Sequence, residues 1–242
     1  MKAAIFRGGD LVVDTIPDPV PALGQVLVKT LACGICGSDL HAAKHAHRMV
    51  EVTKRIPGRK PMDLSRDIVF GHEFCCEVLD YGPKTEKRIK PGTRVCSMPL
   101  MVEADGPKGM GYSNTYVGGY AERMVLSAPL MLEVPNGLPT EHAALTEPLA
   151  VGVHAVEKAN LAGDEAPLVV GCGPVGLAVI AGLKLKDALI VETKNSEWTL
   201  VFAAREDRKD DPEIRKFISI YRSAPVKAFI EEKFKGSILP TW

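Results

Sequence analysis

Ala166-Pro-Leu-Val-Val170, Gly171-Cys-Gly173-Pro-Val-Gly176 and Leu177-Ala-Val-Ile-Ala-Gly-Leu-Lys-Leu-Lys186 stand in direct succession. The first run reads as a short buried strand, the glycines as a tight turn, and the third run as an apolar helix. In this context Gly-x-Gly-x-x-Gly opens a dinucleotide-binding α/β unit. Its glycines let backbone approach a pyrophosphate, and the helix N-terminus offers free N–H groups and a positive dipole. Gly171, Gly173 and Gly176 are therefore candidate cofactor-binding residues. Glu192 lies 21 residues after Gly171, the spacing of the acid that holds an adenosine ribose. Between them the pattern breaks. Asp187–Val191 reads as a strand that follows the helix directly, with no Gly, Pro or Asn from Leu183 to Lys194. Helix-to-strand connections usually take about 2–6 residues of turn chemistry, so a junction is expected near Lys186–Asp187, and coincidence competes with function as the reading of Glu192.

Residues 1–150 look different. They are punctuated by Pro17, Pro19, Pro21, Gly24, Pro91, Gly92, Gly118 and Gly119. Between these lie β-type runs at Gln25–Leu31, Glu73–Tyr81 and Tyr120–Leu126, the pattern of a mostly β domain. From about Pro148 helical spacing takes over, with Leu149, Val153, Val156 and Ala159 marking a helix over Leu149–Ala162. Downstream, Trp198–Ala203 reads as a strand. Asp210-Asp211-Pro212-Glu213 is a helix start with an Asp cap and Pro in the first turn, and Ile214, Phe217, Ile218 and Tyr221 follow on one face. A second helix begins near Ser223–Pro225, carries Val226, Phe229, Ile230 and Phe234, and stops at Gly236. These apolar faces need a partner. They either cover the sheet edge left by missing strands or form a homo-oligomer contact.

Composition bounds the partners. The 242 residues carry 30 Lys plus Arg against 30 Asp plus Glu, and 46 % are hydrophobic. That excludes a disordered or fibrous chain and gives no reason to expect nucleic acid as a partner. No apolar run reaches the ~18–20 residues of a membrane helix, and the opening MKAAIFRGGDLVVD lacks the apolar core of a secretory leader. A cytoplasmic protein is expected, with its six cysteines as thiols. All six Cys and all six His lie at or before Cys172.

The chemistry concentrates in Cys33-Gly-Ile-Cys36-Gly-Ser38-Asp39-Leu-His41 and, some 35 residues on, Gly71-His72-Glu73. Zinc takes thiolate and imidazole first and carboxylate third, and a catalytic zinc keeps one position open. Cys36 and His72 with either Glu73 or Glu147 would make that set. Asp39 is placed to back a ligand histidine, and Ser38 and His41 to relay an alcohol proton. The bland reading is a structural half-site or two buried thiols. His45 and His47 read as surface residues, His142 and His154 as helix-face or core residues, and Cys75, Cys76 and Cys96 as buried thiols.

Residues 1–186 resemble the zinc-containing medium-chain alcohol and polyol dehydrogenases. The resemblance is carried by Cys36-Gly-Ser-Asp-Leu-His41, Gly71-His-Glu73, Lys90-Pro-Gly-Thr-Arg-Val95, Gly118-Gly-Tyr-Ala-Glu122, Glu147-Pro-Leu-Ala-Val-Gly152 and Gly171-Cys-Gly-Pro-Val-Gly176. It implies a GroES-like β-rich catalytic domain over 1–150 and the first βα unit of a Rossmann domain over 151–186. It also implies catalytic zinc on Cys36, His72 and Glu147 or Glu73, a proton relay through Ser38 and His41, and NAD(P) as hydride acceptor from an alcohol or polyol. The Glu-Pro-Leu context is nearer the sorbitol, butanediol and threonine branch. A second, structural zinc on four closely spaced cysteines is not expected, since Cys96 stands alone between Cys76 and Cys172.

Asp187-Ala-Leu-Ile-Val-Glu192, Ala204-Arg-Glu-Asp-Arg-Lys-Asp-Asp-Pro-Glu-Ile214 and Phe229-Ile-Glu-Glu-Lys-Phe-Lys-Gly-Ser-Ile-Leu-Pro-Thr-Trp242 resemble the C-terminal end of the methionine-binding lipoproteins of ABC importers. That family is exported, lipid-anchored and binds methionine between two lobes. Most of those lobes are missing here, so no ligand residue carries over. The expected fold is therefore mixed β and α/β: a GroES-like domain, a truncated Rossmann-like unit, and an α/β tail over 187–242. Only 56 residues follow Lys186, too few for a six-stranded dinucleotide domain at about 30 residues per βαβ unit. The leading expectation is a chimera whose zinc-dependent NAD(P) dehydrogenase chemistry is impaired by that truncation. The alternatives are a catalytically inactive zinc-binding fusion fragment and, less favoured, a methionine-binding fragment.

Overall fold

Alternation at the N-terminus becomes a hairpin. Lys2–Arg7 (β1) pairs antiparallel with Asp10–Thr15 (β2) across Gly8-Gly9, both at positive φ, a backbone that suits the twist of a two-residue hairpin turn. Ile5 and Phe6 are buried in separate clusters on the two faces of β1, and β2 is exposed along its length. Gln25–Gly34 (β3) follows with Val26 and Val28 fully buried, as its alternation requires. Next come two short helices, Gly37–Lys44 (α1) and Ala46–Lys54 (α2). Then come Glu73–Tyr81 (β4), Arg94–Ser97 (β5), Leu100–Glu103 (β6), Gly106–Gly109 (β7), Arg123–Ser127 (β8), Met131–Glu133 (β9) and Thr140–Ala144 (α3).

The computed structural model describes residues 1–104, 106–161, 167–171, 173–183, 202–203 and 210–234. They divide into two compact units, Met1–Pro148 and Leu149–Trp242. The first is organised by an antiparallel five-stranded sheet in the order β8-β3-β4-β5-β9. Phe74, Val78, Val95, Met101, Met124, Leu126 and Met131 fill its core. Tyr81 closes the β4–β5 loop, donating its hydroxyl to Ile89 O at 2.6 Å and accepting from Ile89 N–H at 3.0 Å. Two register shifts interrupt the β3–β4 ladder. Beyond the second, Cys33 faces Phe74 and Gly34 faces Glu73. Bulges of this kind re-aim side chains next to functional sites.

The second unit contains most of Thr146–Ala159 (α4), then Val169–Val170 (β10), Pro174–Gly182 (α5), Phe202–Ala203 (β11), Pro212–Tyr221 (α6) and Ala224–Phe234 (α7). β10 and β11 pair antiparallel. Helices α4 and α5 meet at Gly152, where a Cβ would lie 2.4 Å from the Ala178 backbone. Among the described residues of this unit, Ala178 is the one buried apolar side chain.

The fold is mixed β and α/β, with a truncated Rossmann-like βα unit, as the sequence predicts. Element limits move for local reasons. Helix α4 ends at Ala159 because Asn160 turns left-handed, φ +47°. Helix α5 starts at Pro174 rather than Leu177, since proline fits the first helical position behind Gly173. The strand expected over Tyr120–Leu126 begins at Arg123, which frees Tyr120 for another use. Asp211 caps α6 as expected, accepting from Glu213 N–H at 2.9 Å. The junction near Lys186–Asp187, the strand Asp187–Val191, Cys172 and Glu192 lie outside the described residues. No described helix is long and apolar enough to cross a membrane.

Candidate metal centre

The site forms where the bulged end of the β3–β4 ladder meets the start of α1. Cys36 is the N-cap of α1; Asp39, three residues on, turns back so that its Oδ2 accepts the Cys36 N–H at 3.3 Å. His72 and Glu73 lead into β4 and are nearly buried, 9 % and 7 % exposed. The thiol of Cys36, a nitrogen of His72 and a carboxylate oxygen of Glu73 all lie within 4.8 Å of one another. Gly34 makes room for the acid: a Cβ there would sit 2.2 Å from Glu73 Oε2. The open choice between two acids thus has a geometric answer for clustering. Glu73 joins the group, while Glu147, in the first turn of α4, interacts electrostatically with His72, Glu73 and Asp39 from outside it.

Burial dominates the electrostatics. It pushes the Cys36 thiol above its usual range, with the Glu73 charge adding to it against hydrogen bonding by Ser38. It raises the Glu147 carboxyl too, where the Glu73 and Asp39 charges add to it and His72 opposes. For His72 burial favours the neutral ring, but Asp39, Glu147 and Glu73 outweigh it and its pKa is raised. Asp39 is 2 % exposed, which would raise its carboxyl; His72 and two tyrosine hydroxyls overcome that and hold it low. His72 Nδ1 lies 3.3 Å from Asp39 Oδ1. The approach is not aligned as a hydrogen bond, and Nδ1 has no other partner, so the contact is electrostatic.

The remaining candidates sort cleanly. Cys33 is not part of the cluster; burial and the Asp39 charge push its thiol up to about 12, and it points at Gly71 and Gly119. Ser38 Oγ bonds Tyr112 Oη at 2.8 Å, whereas the His41 ring packs on His45 with centroids 4.8 Å apart. Among the described residues no hydrogen bond joins Ser38 to His41. His45, His47, His142 and His154 are exposed, and Cys75, Cys76 and Cys96 are buried thiols. Sequence reasoning missed Tyr112 and Tyr120, both of which donate to Asp39, at 2.7 and 2.9 Å. Tyr120 lies in the Gly-Gly-Tyr-Ala-Glu motif; Tyr112 has no motif of its own.

The glycine turn in the second unit shows three separate reasons for glycine. Gly171 has φ +99°. A Cβ on Gly176 would stand 1.8 Å from Gly171 O. Gly173, the N-cap of α5, has open space where its Cβ would be, so backbone there is free to approach a ligand. Each of the three positions thus has its own steric reason to be glycine or room for backbone approach.

Residues 22–136 match the alcohol dehydrogenase GroES-like domain. The N-terminal region is thus similar to the zinc-type alcohol and polyol dehydrogenases. The (R,R)-butanediol dehydrogenase of Neisseria gonorrhoeae is 31 % identical over 90 % of this chain and 63 % of its own length. The crystal structure of 2R,3R-butanediol dehydrogenase from Bacillus subtilis superposes with a TM-score of 0.61 at 33 % identity, covering 76 % of this chain and 55 % of that one. A structure from Sinorhizobium meliloti 1021 described as a zinc-binding dehydrogenase, bound to NADP, gives 0.60 at 27 %, covering 76 % and 53 %. The chain thus spans little more than half the length of most of these dehydrogenase relatives. Residues 174–242 match the NlpA lipoprotein family.

Proposed function

We propose that the GroES-like domain is the metal-binding catalytic half of an alcohol or polyol dehydrogenase. The observation that carries this reading is the cluster of Cys36, His72 and Glu73 with ligand atoms within 4.8 Å. One thiol, one imidazole and one carboxylate suit zinc, and three protein ligands leave a position for substrate. With Nδ1 of His72 facing Asp39, Nε2 is the nitrogen left for the ion. Glu147 supplies a second acid beside the group. When bound, zinc supplies Lewis-acid polarisation of an alcohol oxygen. The chain's own residues bind and orient: Ser38 stands at the site with its hydroxyl tied to Tyr112, and exposed His41 offers an imidazole on the same helix. By the resemblance to dehydrogenases, Gly171, Gly173, Gly176, the N-terminus of α5 and Glu192 would hold NAD(P), which supplies a hydride acceptor when bound. A cytoplasmic setting fits a site that needs a reduced thiol.

Zinc per chain in the freshly purified protein tests the site. About one zinc is expected, lost in Cys36→Ser; no zinc, or zinc indifferent to that change, would remove the assignment. A second reading, an inactive zinc-binding fusion, is favoured by the antiparallel β10–β11 pair, because a complete dinucleotide site is built on a parallel sheet. NADH titration separates the two: saturable binding supports the dehydrogenase, and zinc without NADH binding supports the inactive fusion. The methionine-binding reading requires methionine uptake by protein that takes up no zinc.

A further inference from the structure

Asp39 is held from several sides. Its Oδ1 accepts the Tyr112 hydroxyl at 2.7 Å and its Oδ2 the Tyr120 hydroxyl at 2.9 Å. Oδ2 also takes the Cys36 N–H at 3.3 Å, and Oδ1 lies 3.3 Å from His72 Nδ1. The tyrosine rings are placed by packing that does not need their hydroxyls. Tyr112 lies against Phe70 and His72, with centroids 5.6 and 5.5 Å away. Tyr120 covers Gly71, where a Cβ would meet its ring at 2.7 Å. Each phenol has one proton to give. Tyr112 gives its proton to Asp39, so in the 2.8 Å contact with Ser38 the serine is the donor.

We propose that Tyr112 and Tyr120 are positioning residues of the metal centre. Their hydroxyls clamp Asp39 so that it orients His72 through Nδ1, and Tyr112 also sets the direction of the Ser38 hydroxyl. The proposal rests on the reading of Cys36, His72 and Glu73 as metal ligands. Its physical reason is orientation. A carboxylate held by two donors in addition to a backbone N–H cannot swing away from the imidazole, and partners of this outer kind are worth about 10–100-fold in metal affinity. Tyr112 bridges Asp39 and Ser38, whereas Tyr120 stands between Asp39 and, at 3.3 Å, the Gly34 carbonyl, so loss of the Tyr112 hydroxyl reaches both the metal and the serine.

The test uses the full chain with Co²⁺ and Zn²⁺ as probes and the variants Tyr112→Phe and Tyr120→Phe, which keep the rings. Dissociation constants come from chelator competition, ligand geometry from the cobalt absorption bands, and folding from circular dichroism and melting. Each variant is expected to bind about tenfold more weakly with a shifted cobalt spectrum and an unchanged fold. In an Asp39→Asn background Tyr112→Phe should cost no further affinity, because the two changes act through one contact. Affinity and spectrum identical to the parent chain in both variants overturn the proposal, whatever happens to the melting temperature. Should one variant fail to fold, the other decides. A parent chain that takes up no Co²⁺ overturns the metal reading and this proposal with it; binding that is lost only in Cys36→Ser upholds the first and overturns the second.

Discussion

The two units of this chain use apolar residues in opposite ways. In Met1–Pro148 the sheet and its surroundings bury several apolar clusters, and Phe70, Ile5, Met124 and Leu126 are fully buried. In Leu149–Trp242 the described helices leave Val151, Val153, Val175 and Leu177 between 43 % and 53 % exposed. Both sequences are well patterned. An apolar face becomes a core only when its opposing layer is present. The first unit has that layer, and the second, among its described residues, has a two-residue pair of strands. The glycines make the same point at short range: in both units they permit close approach, and in the first Gly34 makes room for the Cys36–His72–Glu73 group.

The largest difference should appear in amide hydrogen exchange. Protection in β3 and β4 should approach the global stability of about 5–15 kcal/mol, while α5 exchanges through local opening worth far less. Equal protection in both units would erase the contrast. Next comes truncation of matched side chains. Phe70→Ala should cost about 3–5 kcal/mol through the cavity it leaves, whereas Leu177→Ala, at a position 53 % exposed, should stay within about 0.5 kcal/mol. Chemical denaturation of both variants measures this, and a large effect at Leu177 would mean that α5 is covered.

A glycine pair sharpens it further. A Cβ on Gly118 would lie 2.3 Å from the backbone oxygens of both Phe70 and Gly71, and one on Gly176 would lie 1.8 Å from Gly171 O. Gly118→Ala should therefore lower the main melting transition by the equivalent of about 1–3 kcal/mol. Gly176→Ala should leave that transition in place and disturb only the second unit. Coupled losses would show that the units melt together.

The smallest effect is pH dependence in metal-free protein. The raised pKa of His72 means that its ionic contacts stabilise fully below its unfolded value of about 6.5 and are lost as pH rises through the folded value. Melting temperature should fall across that window, by less in His72→Asn. A melting temperature that rises there in the parent chain but not in the variant would reverse the sign and remove the electrostatic account of His72.

Much of this was legible beforehand. Strand β4 and the helices α6 and α7 follow from periodicity, and Cys36, His72 and Glu73 were candidates from donor chemistry alone. What escaped was contact between segments far apart in the chain. Tyr112 reaches Asp39 across 73 positions and Tyr120 across 81, and no local spacing encodes such a meeting. Helices α1 and α2 were also hidden, because their residues read first as a ligand block and a basic stretch.

By itself the sequence determined which residues had the chemistry to serve and which periodicity each segment would follow, because side-chain donors and local backbone preferences are properties of short stretches. Only the tertiary structure decided between Glu73 and Glu147 for the cluster, separated Cys33 from Cys36, and tied Ser38 to Tyr112 rather than to His41. Those outcomes depend on a bulged register between β3 and β4, on a bare Cα at Gly34, and on loops that return to Asp39. Sequence spacing does not measure distances of that kind.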